Sequence, residues 1–138
     1  MPAQTQLPQT PGETNPMPRA LLDEPQIHPA VRDRVAGWHR PVVDEVRAAI
    51  AAHPVVVVGM AVNPYVKRAR RALDAAGIAH HDLDYGSYLS AWHPRLALKL
   101  WSGWPTLPMV FVRGQLVGGA GDLQALIVSG ELRRMLDR

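Results

Sequence analysis

Four consecutive valines, Val55–Val58, constrain the fold of this chain more than any other feature of its sequence. Pro54 precedes the run and Gly59 follows it, so the run has the length of a single β-strand. Because neighbouring side chains of a strand point to opposite faces, a strand made only of valine must be covered on both faces. The run therefore predicts the central strand of an α/β domain with helices on both sides of its sheet.

The residues after the valine run predict a helix and a second strand. Asn63 is a good helix-capping residue, and Pro64 occupies the first helical position, where proline is favoured. Apolar residues recur at helical spacing from there to Gly77, and residues 78–84 have the pattern of a strand. A strand, a helix and a strand in this order form a unit whose two strands are parallel.

Another helix is predicted within residues 87–102. Its apolar residues at helical spacing are Leu89, Trp92, Leu96 and Leu100, and Pro94 falls inside the pattern. The spacing of the tryptophans predicts that they pack in or near the core around this helix. They are Trp92, Trp101 and Trp104.

A hairpin and a helical segment complete the predicted order of elements. Residues 109–112 and 115–118 are short apolar strands joined by Arg113–Gly114, a two-residue connection typical of a hairpin. Residues 121–138 predict one or two short helices that end in a basic turn.

The N-terminal part divides into a tail and a helical extension. Residues 1–26 are rich in proline, glutamine and threonine, so we expect a disordered tail. Apolar spacings of three and four from residue 28 predict a helix through residues 27–52, which Pro41 either bends or splits into two. The predicted strands from the valine run onwards, with the helices between and after them, form a domain over residues 53–138. The valine and tryptophan stripe of the extension must be buried, against its own domain or a second copy, so we expect a monomer or a weak dimer.

The composition excludes several classes of function. The 138 residues include no cysteine, so no disulfide, thiolate nucleophile or cysteine-ligated metal cluster can form. A net charge of +3 is too small to predict a nucleic-acid partner, and no apolar run has the roughly 18 residues of a membrane span. His80 and His81 would point to opposite faces of a strand, so no metal site is predicted. Residues 1–26 carry no targeting pattern, and we expect a cytoplasmic protein.

Three motifs, in order along the chain, resemble those of the glutaredoxins in the thioredoxin-like superfamily, most closely the monothiol glutaredoxins. Val55–Arg71 resembles their strand-to-helix turn, with Asn63-Pro64-Tyr65-Val66 in place of Cys-Pro-Tyr-Cys. Trp104–Pro108 resembles a Trp-Pro-Thr-x-Pro segment, and Gly118–Asp122 resembles a double-glycine turn with a following aspartate. The resemblance implies an α/β, thioredoxin-like fold with a four-stranded mixed sheet flanked by helices, here with an extra N-terminal helical segment.

The resemblance also implies a redox site that this chain has lost. Asn63 and Val66 occupy the two cysteine positions, and Met60 occupies that of a lysine that pairs with a glutathione carboxylate. Without these groups we expect neither thiol–disulfide exchange nor cysteine-ligated iron–sulfur binding, and we predict no catalytic residue. The prediction is a binding or adaptor protein that keeps a residual groove for glutathione or a peptide.

Ten positions are candidates for contact with such a ligand. In the family, Pro108 would be a cis-proline, and Leu107 would offer backbone hydrogen bonds to a peptide-like ligand, while helix N-termini attract anions through their N–H groups. The candidates are Asn63, Tyr65, Thr106, Leu107, Pro108, Gly118, Gly119, Ala120, Gly121 and Asp122. Two alternatives stay open: a non-redox enzyme that acts on a glutathione-like ligand in the same groove, and a structural protein-interaction domain built on residues 1–52.

Overall fold

The computed structural model describes residues 17–138 of the chain. Two compact units divide between Asp33 and Arg34. Most of the predicted tail lies outside the described residues, and within its described part Glu24–Gln26 form a single turn of 3-10 helix. The larger unit begins at Arg34 and includes the helix that precedes the valine run.

Of the two outcomes predicted for residues 27–52, one bent helix or two helices, the structure has two helices. Helix α1 spans Pro29–Gly37 and helix α2 spans Arg40–Ala52. They separate because His39 has a left-handed backbone with φ 47°, and because Pro41 lies in the first turn of α2, where its missing N–H costs little. Of the predicted stripe, Val46 and Ala49 of α2 are buried and Val42 is partly buried, whereas α1 has no buried residue and Trp38 is exposed. Val43, which the pattern leaves out, is also buried.

The four strands form one mixed sheet in the order β2-β1-β3-β4. Their bounds are β1 Val55–Gly59, β2 His81–Asp84, β3 Met109–Val112 and β4 Gln115–Gly118. Strand β1 pairs parallel with β2 and antiparallel with β3, and β3 pairs antiparallel with β4. The predicted mixed sheet and its hairpin are confirmed, and the hairpin closes through positive φ angles at Arg113 and Gly114.

The valine run is buried on both faces of the sheet, as its composition predicts. The remaining helices are α3 Pro64–Ala75, α4 Trp92–Ser102, α5 Ala120–Ser129 and α6 Glu131–Leu136. Val56 and Val58 belong to a core cluster with residues of α2 and α4. Val55 and Val57 belong to a second cluster with residues of α3, α5 and α6. The sheet therefore separates two cores, each closed by its own helices.

Strand β2 begins at His81, later than the predicted residue 78. Gly77 and Ile78 end α3 instead: Gly77 has φ 69°, and the Ile78 N–H donates to the Leu73 carbonyl at 2.9 Å. This is the hydrogen bonding that commonly closes a helix at a glycine. Ile78 is apolar because it packs beside α3 in the core, and not because it pairs in the sheet.

Helix α4 begins at Trp92, later than the predicted residue 87. The preceding residues form a loop because the Arg95 guanidinium donates to the carbonyl oxygens of Tyr85, at 2.9 Å, and Ser90. Pro94 then falls in the first turn of α4, where a helix tolerates proline.

The apolar pattern predicted for α4 faces outward. The buried residues of the helix are Arg95, Ala97 and Leu98. Trp101 and Trp104 are partly buried against the core, as predicted. Trp92, which the sequence places in or near the core, is exposed, because the helix turns its other apolar face towards the sheet.

A network of charged side chains joins α3 to β2. Arg70 of α3 lies 3.3 Å from an oxygen of Asp82 and 2.8 Å from an oxygen of Asp84. The Asp82 carboxylate also lies 2.6 Å from Nδ1 of His80, whose Nε2 lies 2.8 Å from Asp74. Burial alone would lower the pKa of His80, but its hydrogen bonds to the two carboxylates outweigh burial and raise that pKa.

We expect the contribution of His80 to stability to fall as the pH rises. A raised pKa in the folded state gives stabilisation that is complete below the unfolded value of about 6.5 and is lost as the pH rises through the folded value. Chemical denaturation should therefore show a larger loss of unfolding free energy for His80→Gln at about pH 5.5 than at about pH 9. His93→Gln is the control, because His93 has no carboxylate partner within residues 17–138. Equal losses for His80→Gln at both pH values would contradict the prediction.

Candidate functional site

Three chain segments meet at one end of the sheet. Val58 near the end of β1 pairs with Met109 at the start of β3, and Gly118 at the end of β4 pairs with Val110. The segments that follow β1, precede β3 and follow β4 therefore share this end. They are residues 60–66, 104–108 and 118–122, and they contain all ten positions predicted to contact a ligand.

Asn63 closes the first turn of α3. Its Oδ1 accepts the N–H of Tyr65 at 2.9 Å and that of Val66 at 3.1 Å, and its side chain is buried. The predicted helix cap is confirmed. The N–H groups of Tyr65 and Val66 are therefore already paired with Asn63. The start of α3 thus has two fewer free N–H donors for an anionic ligand than a helix N-terminus without a capping side chain.

Val66 and Met60 are core residues. Both are buried in one cluster that also contains Leu107. A Cβ atom on Gly59 would lie 2.5 Å from a methyl group of Val66, so α3 packs directly against the end of β1. Val66, at the second of the two cysteine positions in the motif, is therefore buried in the core and not exposed to a ligand.

The loop before β3 has unpaired main-chain groups. The Leu107–Pro108 peptide bond is cis, the Leu107 side chain is buried, and Thr106 is exposed. Neither the N–H nor the C=O of Leu107 forms a hydrogen bond with another of residues 17–138. Leu107 lies just before β3, beyond the paired part of that strand, so its free N–H and C=O are available to pair with an extended peptide.

The start of α5 has free N–H groups. Gly118 has φ 112°, and a Cβ atom there would lie 2.5 Å from Oδ2 of Asp122, so only glycine fits. That oxygen accepts the Gly119 N–H at 3.0 Å, so Asp122 serves as a capping residue. The N–H groups of Ala120 and Gly121 have no acceptor within the described residues 17–138, and Gly121 is exposed.

Trp104 lies where the cis-proline loop meets α5. A Cβ atom on Gly119 would lie 3.7 Å from the carbonyl oxygen of Pro108 and 3.9 Å from Nε1 of Trp104. This indole N–H is buried and has no acceptor in the described part of the chain. The sequence indicates only a packing role for Trp104, because an unpaired donor depends on the tertiary neighbours.

Val62 is a strained residue of the site that the sequence does not reveal. Its φ is 62° and its side chain is largely exposed, whereas a β-branched residue rarely adopts a left-handed backbone. Such a conformation costs about 1–3 kcal/mol and is commonly found at functional sites. No residue pattern around Val62 signals this conformation.

The charges around the site favour an anionic ligand. Tyr65 is exposed, and Lys67 and Arg68 beside it are exposed and form no ion pair among residues 17–138. The sequence contains no acidic residue between Asp84 and Asp122, and the carboxylate of Asp122 is paired with a backbone N–H. The cationic side chains of Lys67 and Arg68 therefore lie beside the first segment, and Asp122, which carries the one carboxylate of the two later segments, uses an oxygen to cap α5.

The sheet order and the cis-proline loop beside two helix N-termini define a protein of the thioredoxin-like class. None of the known protein-family models matches the chain. The chain is 44% identical over 88 residues to a glutaredoxin-like protein of Dictyostelium discoideum, covering 64% of this chain and 72% of that protein. It belongs to the glutaredoxin-like family.

Solved structures agree with this fold. Oxidized glutaredoxin 2 from Chlamydomonas reinhardtii is 26% identical, with a TM-score of 0.61, covering 72% of this chain and 94% of that one. A buckwheat glutaredoxin–glutathione complex is 21% identical, with a TM-score of 0.63, covering 73% of this chain and 92% of that one. The thioredoxin-like fold predicted from the three motifs is confirmed. Within residues 17–138, no helix is long and apolar enough to span a membrane.

We expect Asn63→Ala to lower the unfolding free energy by about 1 kcal/mol, because it leaves two N–H groups of α3 without their acceptor. Asn63→Asp keeps an oxygen at the same place and should retain most of the stability. Urea denaturation monitored by circular dichroism compares the three proteins. If alanine and aspartate at this position gave equal stability, the cap would not contribute as described.

Proposed function

We propose that this protein is a cysteine-free glutaredoxin-like binding module. Its groove, made by residues 60–66, 104–108 and 118–122, binds glutathione or an extended peptide of similar chemistry. The observation that carries the proposal is the set of unpaired main-chain groups at two of these segments: the N–H and C=O of Leu107, and the N–H groups of Ala120 and Gly121.

The unpaired groups suit the two ends of a short acidic peptide. The amide plane of an extended ligand can pair with Leu107 as an added strand does. A ligand carboxylate can accept from Ala120 and Gly121, where the positive end of the α5 dipole also favours an anion. The buckwheat glutaredoxin of the same fold was solved as a complex with glutathione, and this supports the choice of ligand here.

The absence of cysteine supports binding without thiol chemistry. A glutaredoxin attacks a disulfide with a thiolate, and Asn63 at the corresponding place is a helix cap with no ionisable group. The same absence removes the protein thiolate that would ligate an iron–sulfur cluster.

The enzymatic alternative has less support. It would use Tyr65 and Asp122, but the Tyr65 hydroxyl has no hydrogen-bond partner within residues 17–138 and the Asp122 carboxylate caps α5. No base is therefore positioned to activate the hydroxyl. A cytoplasmic location and a monomeric or weakly dimeric state remain predictions from the sequence.

Titration of the ¹⁵N-labelled protein with reduced glutathione tests the groove. We expect saturable shifts of the backbone amide signals of Leu107, Ala120 and Gly121, because these amides would contact the ligand. Ala120→Pro removes one N–H at the first position of α5, where proline fits the backbone, and should weaken binding about tenfold or more. Because the Ala120 side chain is buried, circular dichroism must show that the variant keeps its fold.

Gly121→Ala is the matched control, because it keeps every N–H group and a Cβ atom there meets nothing within 4 Å. It should bind as tightly as the original protein. If about 10 mM glutathione produced no localised shift, or if Ala120→Pro bound normally, the proposed groove would be wrong.

A cysteine at position 63 should restore activity. The N–H groups of Tyr65 and Val66 that now bind Asn63 would stabilise a thiolate and hold its pKa below the usual value of about 8.5. We therefore expect the original protein to lack glutathione-dependent disulfide reductase activity and Asn63→Cys to gain it.

Val66→Cys is the control, since position 66 is buried in the core and should stay inactive. Reductase activity in the original protein would contradict the loss of thiol chemistry. A folded Asn63→Cys protein with a reactive thiol but no activity would show that the groove does not present glutathione.

A further inference from the structure

The side-chain amide of Asn63 has an unused donor group. Its Oδ1 accepts the N–H groups of Tyr65 and Val66, and its Nδ2 donates to no acceptor within residues 17–138. The residue is only 8% exposed, yet Nδ2 is not among the side-chain atoms of the described chain that are both buried and unpaired. Because Nδ2 of an asparagine carries two N–H donors, this nearly buried side chain keeps donors that a group outside the protein can reach.

The main-chain donors in the first turn of α3 are already used. Pro64 has no N–H group, and the Lys67 N–H donates to the Asn63 carbonyl at 3.1 Å. The N–H groups of Tyr65 and Val66 donate to the Asn63 side chain. The positive end of the helix dipole still lies at this turn and favours a negative charge. A ligand that approaches the start of α3 therefore meets Nδ2 of Asn63 in place of main-chain N–H groups.

The proposed groove leaves this donor for the middle residue of a bound tripeptide. The backbone of the ligand pairs with Leu107, and its carboxylate lies at the N–H groups of Ala120 and Gly121. The remaining segment, residues 60–66, adjoins Leu107, because Leu107 and Val66 pack in the same core cluster. The side chain of the middle residue therefore points towards the start of α3, and in glutathione this side chain carries the sulfur atom.

The surroundings of Nδ2 favour charged oxygen atoms over a thiol at this place. A thiol sulfur is a weak acceptor, whereas the oxygens of a sulfonate, the fully oxidised form of a thiol, carry negative charge and accept strongly. Residues 60–66 contain no acidic side chain. Lys67 and Arg68 on the same turn are exposed and form no ion pair within the described chain, so their charges add to that of the helix dipole.

We propose, on the basis of the function proposed above, that the groove selects a glutathione-like tripeptide whose cysteine sulfur is oxidised to a sulfonate. Nδ2 of Asn63 donates to a sulfonate oxygen, and Asn63 thereby determines the specificity of the groove. A chain without cysteine has no thiol that the same oxidising conditions could modify, so it can bind such a ligand where a glutaredoxin thiol would itself be oxidised.

Calorimetric titration of the full chain with three tripeptides tests the selection. The probes are glutathione sulfonate, reduced glutathione and S-methylglutathione, which share one backbone and the same two carboxylates. We expect the sulfonate to bind at least about tenfold more tightly than the other two, because it alone gives Nδ2 a charged acceptor. Reduced glutathione and S-methylglutathione should bind alike, and added salt should reduce the preference without abolishing it.

Two aspartate variants separate a contact with Nδ2 from the charge near the groove. Asn63→Asp keeps a capping oxygen but replaces the donor with a carboxylate, so the sulfonate should bind more weakly than reduced glutathione. Leu89→Asp is the matched control and should keep the preference. Leu89 is 94% exposed, in the loop whose Gly86 carbonyl accepts the Ala61 N–H, so it adds the same charge near the first segment without touching Asn63. Circular dichroism establishes that both variants are folded.

The outcomes distinguish the selection from the groove itself. If none of the three tripeptides bound at about 10 mM, both the groove and the selection would be wrong. If reduced glutathione bound and the sulfonate bound no more tightly, the groove would stand and the selection would be wrong. A preference that Asn63→Asp leaves unchanged, or that both aspartate variants reduce equally, would likewise overturn the role of Nδ2.

Discussion

Burial of the valine strand on both faces is the constraint on which the rest of the fold depends. Its alternating side chains serve two separate cores, so helices must close the sheet on each side. The pairing of β1 with β3 then brings the cis-proline loop beside the start of α3. The candidate site is therefore a consequence of how the central strand is paired, and its three segments come from distant parts of the chain.

The side chains at the candidate site mainly serve the fold. Asn63 and Asp122 use their oxygens to cap α3 and α5, and Val66 fills the core. What is left for a ligand consists mainly of main-chain groups, which do not depend on residue type. Main-chain groups of this kind are set by the fold, so the groove proposed here does not depend on the side chains that thiol chemistry requires.

Local patterns account for the features that the sequence predicts well. Three features are each determined by a few neighbouring residues and are found as predicted. They are the valine run, the Asn63–Pro64 cap and the Arg113–Gly114 turn. Helix α4 is different, because both of its faces are apolar and the spacing cannot tell which one is buried. The pairing of Arg70 with Asp82 and the free N–H groups of α5 depend on neighbours that only the folded chain brings together.

The close contact between Gly59 and Val66 means that positions 63 and 66 place different requirements on their side chains. Position 63 needs only an atom that accepts two N–H groups, and more than one side chain satisfies this need. Val66 lies on α3, and its side chain packs against the end of β1. A replacement at this position therefore also changes the packing between the helix and the sheet. One substitution at position 63 could thus return a thiol to the start of α3, whereas a thiol at position 66 would be buried in the core.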